Sequence, residues 1–379
     1  MIYFDAAATT LEKPEQVRRA AAGAMNSMSS PGRGGHPAAR KAEETAFQCR
    51  TEAAELFGLE KPENVIFTCN ATHALNIAIR SLVHRGSRVV ISGYEHNAVT
   101  RTLHAIPSVD LTVVDSPLFQ PGEAAEMFEK AISQGADVVI CNHVSNVFGF
   151  ILPIERIARS CRNHGVPLIV DASQSAGVVP VRIDELGAAF LAMPGHKGLY
   201  GPQGTGLLIC GREEVQPVLF GGTGSISRIQ SMPEDLPDRL EAGTHNMPGI
   251  AGLLEGIRFV KKTGVDTIGQ HERKLAVLAA HLLRQIPGIR VFAAENPSCQ
   301  SGVLSFIADG TDCEALGGAL ARRGVAVRAG LHCAPLAHQT AGTLASGTVR
   351  LSFSAFNTPA QVRQFAALLR QVLRENVTL

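Results

Sequence analysis

DVVICNHVSNVFGFILPIERIARSCRNHGVPLIVD, residues 137–171, decides the fold. A β-branched run from Asp137 to Val144 is followed by a helical stripe over 153–164, in which Ile154, Ile157, Ala158 and Cys161 share one face. Gly165 ends that helix, and a second apolar run, Pro167 to Asp171, follows it. Strand, helix, strand is a crossover unit whose two strands lie parallel.

The same alternation extends outward in both directions. Upstream, Val65 to Thr68 precedes a helix to about His84, and Arg88 to Ser92 precedes another helix; downstream lie Ala189 to Met193 and Gly206 to Cys210. The pattern predicts an α/β unit, a mostly parallel sheet with helices on both faces. After about residue 265 it changes to a helical segment through Leu282 and Leu283, strands at 302–308, 325–328 and 348–353, and a last helix capped by Thr358 with Pro359 at its first position. The chain therefore divides into a segment 1–15, too short to fold alone and packed on one of the units, a large unit 16–262 and a smaller C-terminal α+β unit 263–379.

Composition narrows the function. The 379 residues carry 35 Lys and Arg against 34 Asp and Glu, a net charge of +1 that argues against nucleic acid as a partner. Apolar residues make up 45% and charged residues 18%, against about 25% charged in an average soluble domain, as a large core or a buried subunit interface requires. No run reaches the roughly 18 apolar residues of a membrane span, and the start has no signal-peptide character. The eight cysteines show no Cys-x-x-Cys spacing, and neither they nor the thirteen histidines form a metal cluster, so no metal is expected. A cytoplasmic, reducing setting is the expectation, with seven cysteines as small core residues.

In an open parallel sheet, ligands bind beyond the carboxyl ends of the strands. The residues there are Asn70-Ala71-Thr72, His96, Asn146, Asp171 with Gln174, and His196-Lys197. Ala71 and Thr72 open a helix, where free N–H groups can hold a phosphate, although an ordinary cap reads the same way. Asp171 ends an apolar run and needs a cationic partner, which a protonated ring nitrogen would supply. Lys197 sits in a Gly- and Pro-rich turn that can aim it into a cleft, although a lone loop lysine is usually solvated. A phosphate seat, an acid and a lysine together suit pyridoxal phosphate.

Read with these residues, the chain resembles fold-type I, class V aminotransferase-like enzymes, and within them the group II cysteine desulfurases and selenocysteine lyases. The resemblance runs from Tyr3-Phe-Asp-Ala-Ala-Ala-Thr9 to Arg350-Leu-Ser-Phe-Ser-Ala-Phe-Asn-Thr358, through Glu95-His96-Asn97, His143-Val-Ser-Asn146, Asp171-Ala-Ser-Gln174, Gly195-His-Lys197, Glu241-Ala-Gly-Thr244 and Arg328-Ala-Gly-Leu-His-Cys-Ala-Pro335. It implies a large domain built on a seven-stranded sheet, and pyridoxal 5'-phosphate held covalently by Lys197. It further implies Asp171 on the ring nitrogen, His96 stacked on the ring, and Gln174 and Asn146 near the phenolic oxygen or the substrate carboxylate. The phosphate would lie on Ala71, Thr72, His196 and, from a second subunit, Thr244, which implies a homodimer. Pro194 stands where the family commonly has a phosphate-binding serine, and proline offers neither hydroxyl nor N–H.

The C-terminal unit adds Arg350, which strand alternation turns away from Val349, Leu351 and Phe353, as a clamp for an amino-acid carboxylate. It also adds Cys333, in a loop after a strand, with His332 beside it as a candidate for raising its thiolate fraction. The substrate expected is L-cysteine or L-selenocysteine, converted to alanine with sulfur left on Cys333 for a sulfur-acceptor protein, as in sulfur mobilisation for iron–sulfur cluster assembly. The alternatives are another class V reaction, aminotransferase or kynureninase-like, which needs no nucleophilic cysteine, and a non-catalytic protein that binds the cofactor. His73 and His36, the latter in an Arg33-x-x-His36 element, read equally well as surface or linker residues. His104, His164 and His338 read as surface or packing groups.

Overall fold

The computed structural model describes residues 1–32 and 34–376, so Arg33 of the Arg33-x-x-His36 element lies outside the described residues. The strands are β1 (Ile2–Tyr3), β2 (Val65–Thr68), β3 (Arg88–Ser92), β4 (Asp110–Val114), β5 (Val138–Asn142), β6 (Leu168–Asp171), β7 (Phe190–Pro194), β8 (Gly206–Cys210), β9 (Ile289–Phe292), β10 (Val303–Ala308), β11 (Val325–Ala326), β12 (Arg328–Gly330) and β13 (Thr348–Ser352). Seven of them form one sheet in the order β2-β8-β7-β6-β5-β3-β4. Within it β8 runs antiparallel to both neighbours, and the other neighbouring pairs are parallel.

Both faces of this sheet are covered, as its uninterrupted apolar strands require. Val139, Val170 and Leu191 pack on one side with Phe128 and Ile157. Their chain neighbours Ile140, Ile169 and Phe190 pack on the other with Leu75 and Ile79. The helix Ile154–His164 buries Ile154, Ile157, Ala158 and Cys161 and ends at Gly165, whose φ of 68° is the left-handed value a C-terminal stop needs.

The second sheet, β12-β13-β10-β9, is antiparallel. It shares a core with the helices Val265–Arg284, Cys313–Arg322 and Pro359–Asn376, built from Phe4, Leu304, Phe306, Val349, Leu351 and Phe365 among others. β1 pairs in parallel with β11, and Asp5 bridges to Ser352, so the first residues of the chain are stitched to its last strands.

Several expectations need correction. β4 and β9 lie outside the predicted runs; both are edge strands, and β4 is exposed from Asp110 to Val113, so it carries no buried apolar face to read. The run 325–328 is broken at Val327 into β11 and β12, which belong to different sheets. Of the seven cysteines read as core, Cys49, Cys141, Cys161, Cys210 and Cys313 are buried, but Cys69 is exposed and Cys299 half-buried. Among the described residues no helix is long and apolar enough to cross a membrane, and no group of His, Cys, Asp and Glu could hold a metal ion.

Candidate active site

The carboxyl ends of β2, β3, β5, β6 and β7 open on a cavity of about 230 Å³. It brings together Ala71, Thr72, His96, Asn146, Asp171, Gln174, His196 and Lys197, with Pro194 also in its wall. Each residue arrives there for a local reason.

The helix Ala71–Leu82 starts at Asn70, whose Oδ1 accepts the His73 N–H at 2.9 Å, and Ala74 N–H bonds the Asn70 carbonyl. The Ala71 and Thr72 N–H groups are left without a partner among the described residues, at the positive end of the helix. His96 caps the next helix, Asn97–His104, its Nδ1 accepting from Ala98 N at 3.0 Å. Burial holds the His96 imidazole below its ordinary pKa, so it presents a neutral ring to the cavity. Asp171 ends β6 with its Oδ1 accepting from Ser173 N at 2.9 Å.

The amides of Gln174 and Asn146 are each partly engaged. Gln174 Nε2 donates to Ala7 O at 3.0 Å and Asn146 Nδ2 to His332 O at 2.8 Å. Each NH2 keeps a second hydrogen, and Asn146 Oδ1 is buried with no partner among the described residues.

The loop after β7 is locked by close backbone contacts. A Cβ on Gly198 would lie 2.3 Å from Ala176 O, and one on Gly177, at φ +83°, would lie 2.2 Å from Gly198 O. Thr10 Oγ1 and Lys13 Nζ donate to His196 O at 3.0 and 2.9 Å, and His196 Nδ1 pairs with Thr9 Oγ1 at 3.1 Å, which leaves Nε2 as its free ring nitrogen. Burial lowers the Lys197 ammonium to about 8 against the pull of Asp171, with Arg350 adding to the fall. Burial, and then Lys197 and Lys13, bring His196 down to about 4.

Arg350 and Cys333 stand beside this cavity. Arg350 is 2% exposed and donates from Nη1 to Asn146 O at 2.7 Å and from Nη2 to Asp5 Oδ1 at 3.2 Å, while its Nε has no partner among the described residues. Asp5 also takes a two-pronged bond from Arg328, Nη2 to Oδ2 at 2.8 Å and Nε to Oδ1 at 3.1 Å. Cys333 is exposed, and its loop is strained: His332 and Cys333 both have positive φ, 51° and 55°. The loop is tied to the His96 segment, since Asn97 N–H bonds Cys333 O at 2.8 Å and Thr340 Oγ1 bonds Gly93 O at 2.9 Å.

His332 does not assist Cys333 as a cation. It is buried, its Nε2 sits 3.0 Å from Thr348 Oγ1, and burial together with Arg350 holds it neutral.

Thr244 does not line the Lys197 cavity. It is exposed in a separate depression with Phe67, Cys69 and His73, on a loop anchored by Glu241. Both Glu241 oxygens are bonded to Arg50, at 2.8 and 2.6 Å, and Oε1 also accepts from Phe67 N. Leu219, Phe220, Ile226 and Ile229 are exposed on the neighbouring stretch. Sequence reasoning passed over Asp5, Lys13, Arg328 and Glu241 as site residues. The motif around Asp5 was visible, but its partners lie more than three hundred residues away.

His73 is half-buried with Nδ1 3.5 Å from Cys69 Sγ, and His36 caps the helix Pro37–Phe57. His104 and His164 are exposed, and His338 is buried against Thr343 Oγ1 at 2.7 Å.

The description Aminotransferase class-V matches residues 2–365. A protein named probable cysteine desulfurase from Mycolicibacterium paratuberculosis is 31% identical over 98% of this chain and 55% of its own length. One of the same name from Pyrococcus abyssi is 30% identical over 99% of this chain and 94% of its own. This chain thus spans little more than half of the first protein, and 62% of a cysteine desulfurase from Synechococcus elongatus. Among solved structures, a cysteine desulfurase from Thermococcus onnurineus superposes with a TM-score of 0.90 at 29% identity, covering 99% of this chain and 95% of the other.

Proposed function

The chain belongs to the aminotransferase class-V family, whose members depend on pyridoxal phosphate, and from that premise we propose that it is a cysteine desulfurase. It would convert L-cysteine to L-alanine and carry the sulfur on Cys333, with L-selenocysteine as the other candidate substrate. The observation that carries this reading is the joining of two features. A cavity holds Lys197 and Asp171, and an exposed thiol sits on a strained loop hydrogen-bonded to the segment of His96.

The residues present fit the cofactor. Lys197 and Asp171 face one cavity, the unpartnered N–H groups of Ala71 and Thr72 form an anion seat, and the orphaned Asn146 Oδ1 needs a polar guest. When bound, pyridoxal phosphate supplies an electron sink for the pair released at the substrate α-carbon. Asp171 would hold its ring nitrogen, His96 its face, and Ala71, Thr72 and His196 its phosphate. An apolar patch from Leu219 to Ile229 beside the exposed Thr244 supports a homodimer in which Thr244 completes the neighbour's phosphate seat.

The chain's own groups then act in sequence. Arg350, held between Asn146 O and Asp5 beside the cavity, binds the substrate carboxylate. Lys197 Nζ, lowered to about 8, is neutral often enough near pH 7 to take the α-proton and return one. Cys333 Sγ, as thiolate, attacks the substrate sulfur: the Sγ–S bond forms, the substrate Cβ–S bond breaks, and Cβ gains a proton to become the methyl group of alanine. The persulfide left on Cys333 passes to an acceptor protein.

The test compares sulfide and selenide release from the two amino acids by wild type and Cys333→Ala. Loss of cysteine turnover with retained selenocysteine turnover is expected, and unchanged cysteine turnover would sink the persulfide mechanism. Borohydride reduction should fix the pyridoxyl group on Lys197; fixation on another lysine would refute that assignment.

A further inference from the structure

Glu95 is a fully buried carboxyl group to which the proposed reaction gives no task. It lies in the turn after β3, one residue before His96, and its surroundings can be counted proton by proton. Glu95 Oε1 is 2.7 Å from Ser92 Oγ and 2.8 Å from Asn142 N. Ser92 Oγ is in turn 2.6 Å from Asn142 Oδ1. The Asn142 amide cannot be reversed to change this, because its Nδ2 donates to Tyr94 O at 2.8 Å.

Three oxygens therefore make two close contacts, and each contact needs one hydrogen. The Ser92 hydroxyl has one, and the Asn142 carbonyl has none. An ionised Glu95 also has none, which would leave one pair of oxygens facing lone pair to lone pair. A protonated Glu95 donates to Ser92, Ser92 donates to Asn142, and Asn142 N–H still bonds to Oε1. The orphaned Glu95 Oε2, buried without a partner among the described residues, fits the same state: an unpaired neutral carbonyl costs far less than an unpaired anionic oxygen.

We propose that Glu95 is kept as the neutral carboxylic acid near pH 7 and acts as a positioning residue, its proton completing a Glu95–Ser92–Asn142 chain beneath the cleft. That chain joins the turn carrying His96 to the end of β5, and Asn142 stands in register with Asp171 on β6. With Glu95 neutral, Asp171 is the one acidic side chain among the described residues that line the Lys197 cavity. The titratable groups that face Glu95 from the packed strands are Asp171 on β6 and Cys141 on β5, and neither becomes positive at any pH. Burial, then Asp171, push the Glu95 carboxyl up to about 8 despite the Ser92 and Asn142 bonds.

The measurement is carbon NMR of holoenzyme carrying glutamate labelled at the side-chain carboxyl carbon, titrated from pH 5 to pH 9. The Glu95 line is identified by its loss in Glu95→Gln. It should keep its protonated position at pH 7 and move towards the carboxylate position only near pH 8. Glu95→Gln, which keeps a donor for Ser92 but gives up the acceptor for Asn142 N–H and adds no charge, should leave the pH midpoint of the cofactor absorbance unmoved. A carboxylate line at pH 7 would overturn the proposal, as would a cofactor midpoint displaced by a full pH unit in Glu95→Gln, the mark of a lost neighbouring charge. If that variant does not fold, Glu272→Gln removes the line of the other carboxyl raised to about 8, and a protonated line must remain. The titration can be repeated on cofactor-free protein, so its failure is distinct from failure of the pyridoxal phosphate assignment.

Discussion

Replacing Glu241 by Gln should destabilise the protein far more than its single-atom change suggests. Glu241 and Arg50 are each 7% exposed, and both carboxylate oxygens bond the guanidinium. Oε1 also accepts from Phe67 N at 2.6 Å, Oε2 is 2.5 Å from His245 Nε2, and Arg50 stacks 4.2 Å from the Phe67 ring centroid. A Gln NH2 in the Oε1 place faces two donors; in the Oε2 place it faces Arg50 and can be matched only by His245 accepting. In either orientation a buried guanidinium loses its counter-charge, which costs roughly 3–5 kcal/mol, or about two to nearly four orders of magnitude in the folded-to-unfolded ratio. Urea unfolding followed by far-ultraviolet dichroism should show a lower midpoint in the first transition. The double change Arg50→Met with Glu241→Leu should recover much of the loss, because it removes both charges together. A Glu241→Gln cost below about 1 kcal/mol, or a double variant as unstable as the sum of its singles, would refute the reasoning. The pH dependence has a definite sign. Burial pushes the Glu241 carboxyl up, Arg50 and His245 outweigh it, and the net pKa is lowered, so this stabilisation is present above the ordinary carboxylate range and lost as pH falls.

Three further outcomes follow from local geometry. Gly198→Ala would set a methyl group 2.3 Å from Ala176 O in the loop that carries Lys197; pyridoxal phosphate binding, read by absorbance titration, should weaken at least about tenfold, whereas Gly23→Ala, with nothing within 4 Å, should leave binding unchanged. Thr358 and Gln361 form a reciprocal cap, Thr358 Oγ1 accepting from Gln361 N at 3.3 Å and Gln361 Oε1 from Thr358 N at 2.9 Å, so Thr358→Ala should cost about 1 kcal/mol in thermal unfolding. Lys197, lowered to about 8, should react with an amine-selective acylating reagent in cofactor-free protein at a rate that rises with pH to a midpoint near 8; a midpoint at the ordinary lysine value would remove the case for its neutral amine.

The part of the site legible in the sequence was the part set by local rules. Asp171 ends its strand, Ala71, His96, Asn146 and Lys197 lie in the turns just after theirs, and parallel topology delivers the ends of neighbouring strands to one place. The same rule could not find Asp5, whose meaning lies in two arginines carried on β12 and β13, or Glu241, whose partner Arg50 is 191 residues away. Nor does adjacency in sequence decide contact: His332 precedes Cys333, yet its ring turns to Thr348. β4 was missed for a related reason, since an edge strand exposed over most of its length shows no buried alternation.

These long-range ties give the first residues of the chain a mechanical part in the proposed site. β1 is paired to β11, and Asp5 holds both Arg328 and Arg350. A few residues later Thr10 and Lys13 bond the His196 carbonyl, and Ala7 O receives Gln174. One short segment thus touches the two arginines on one side and the Lys197 loop on the other. A displacement of that segment would alter the Arg350 position and the lysine loop together, so the proposed carboxylate clamp and the proposed proton carrier would be coupled through residues that touch neither reacting bond.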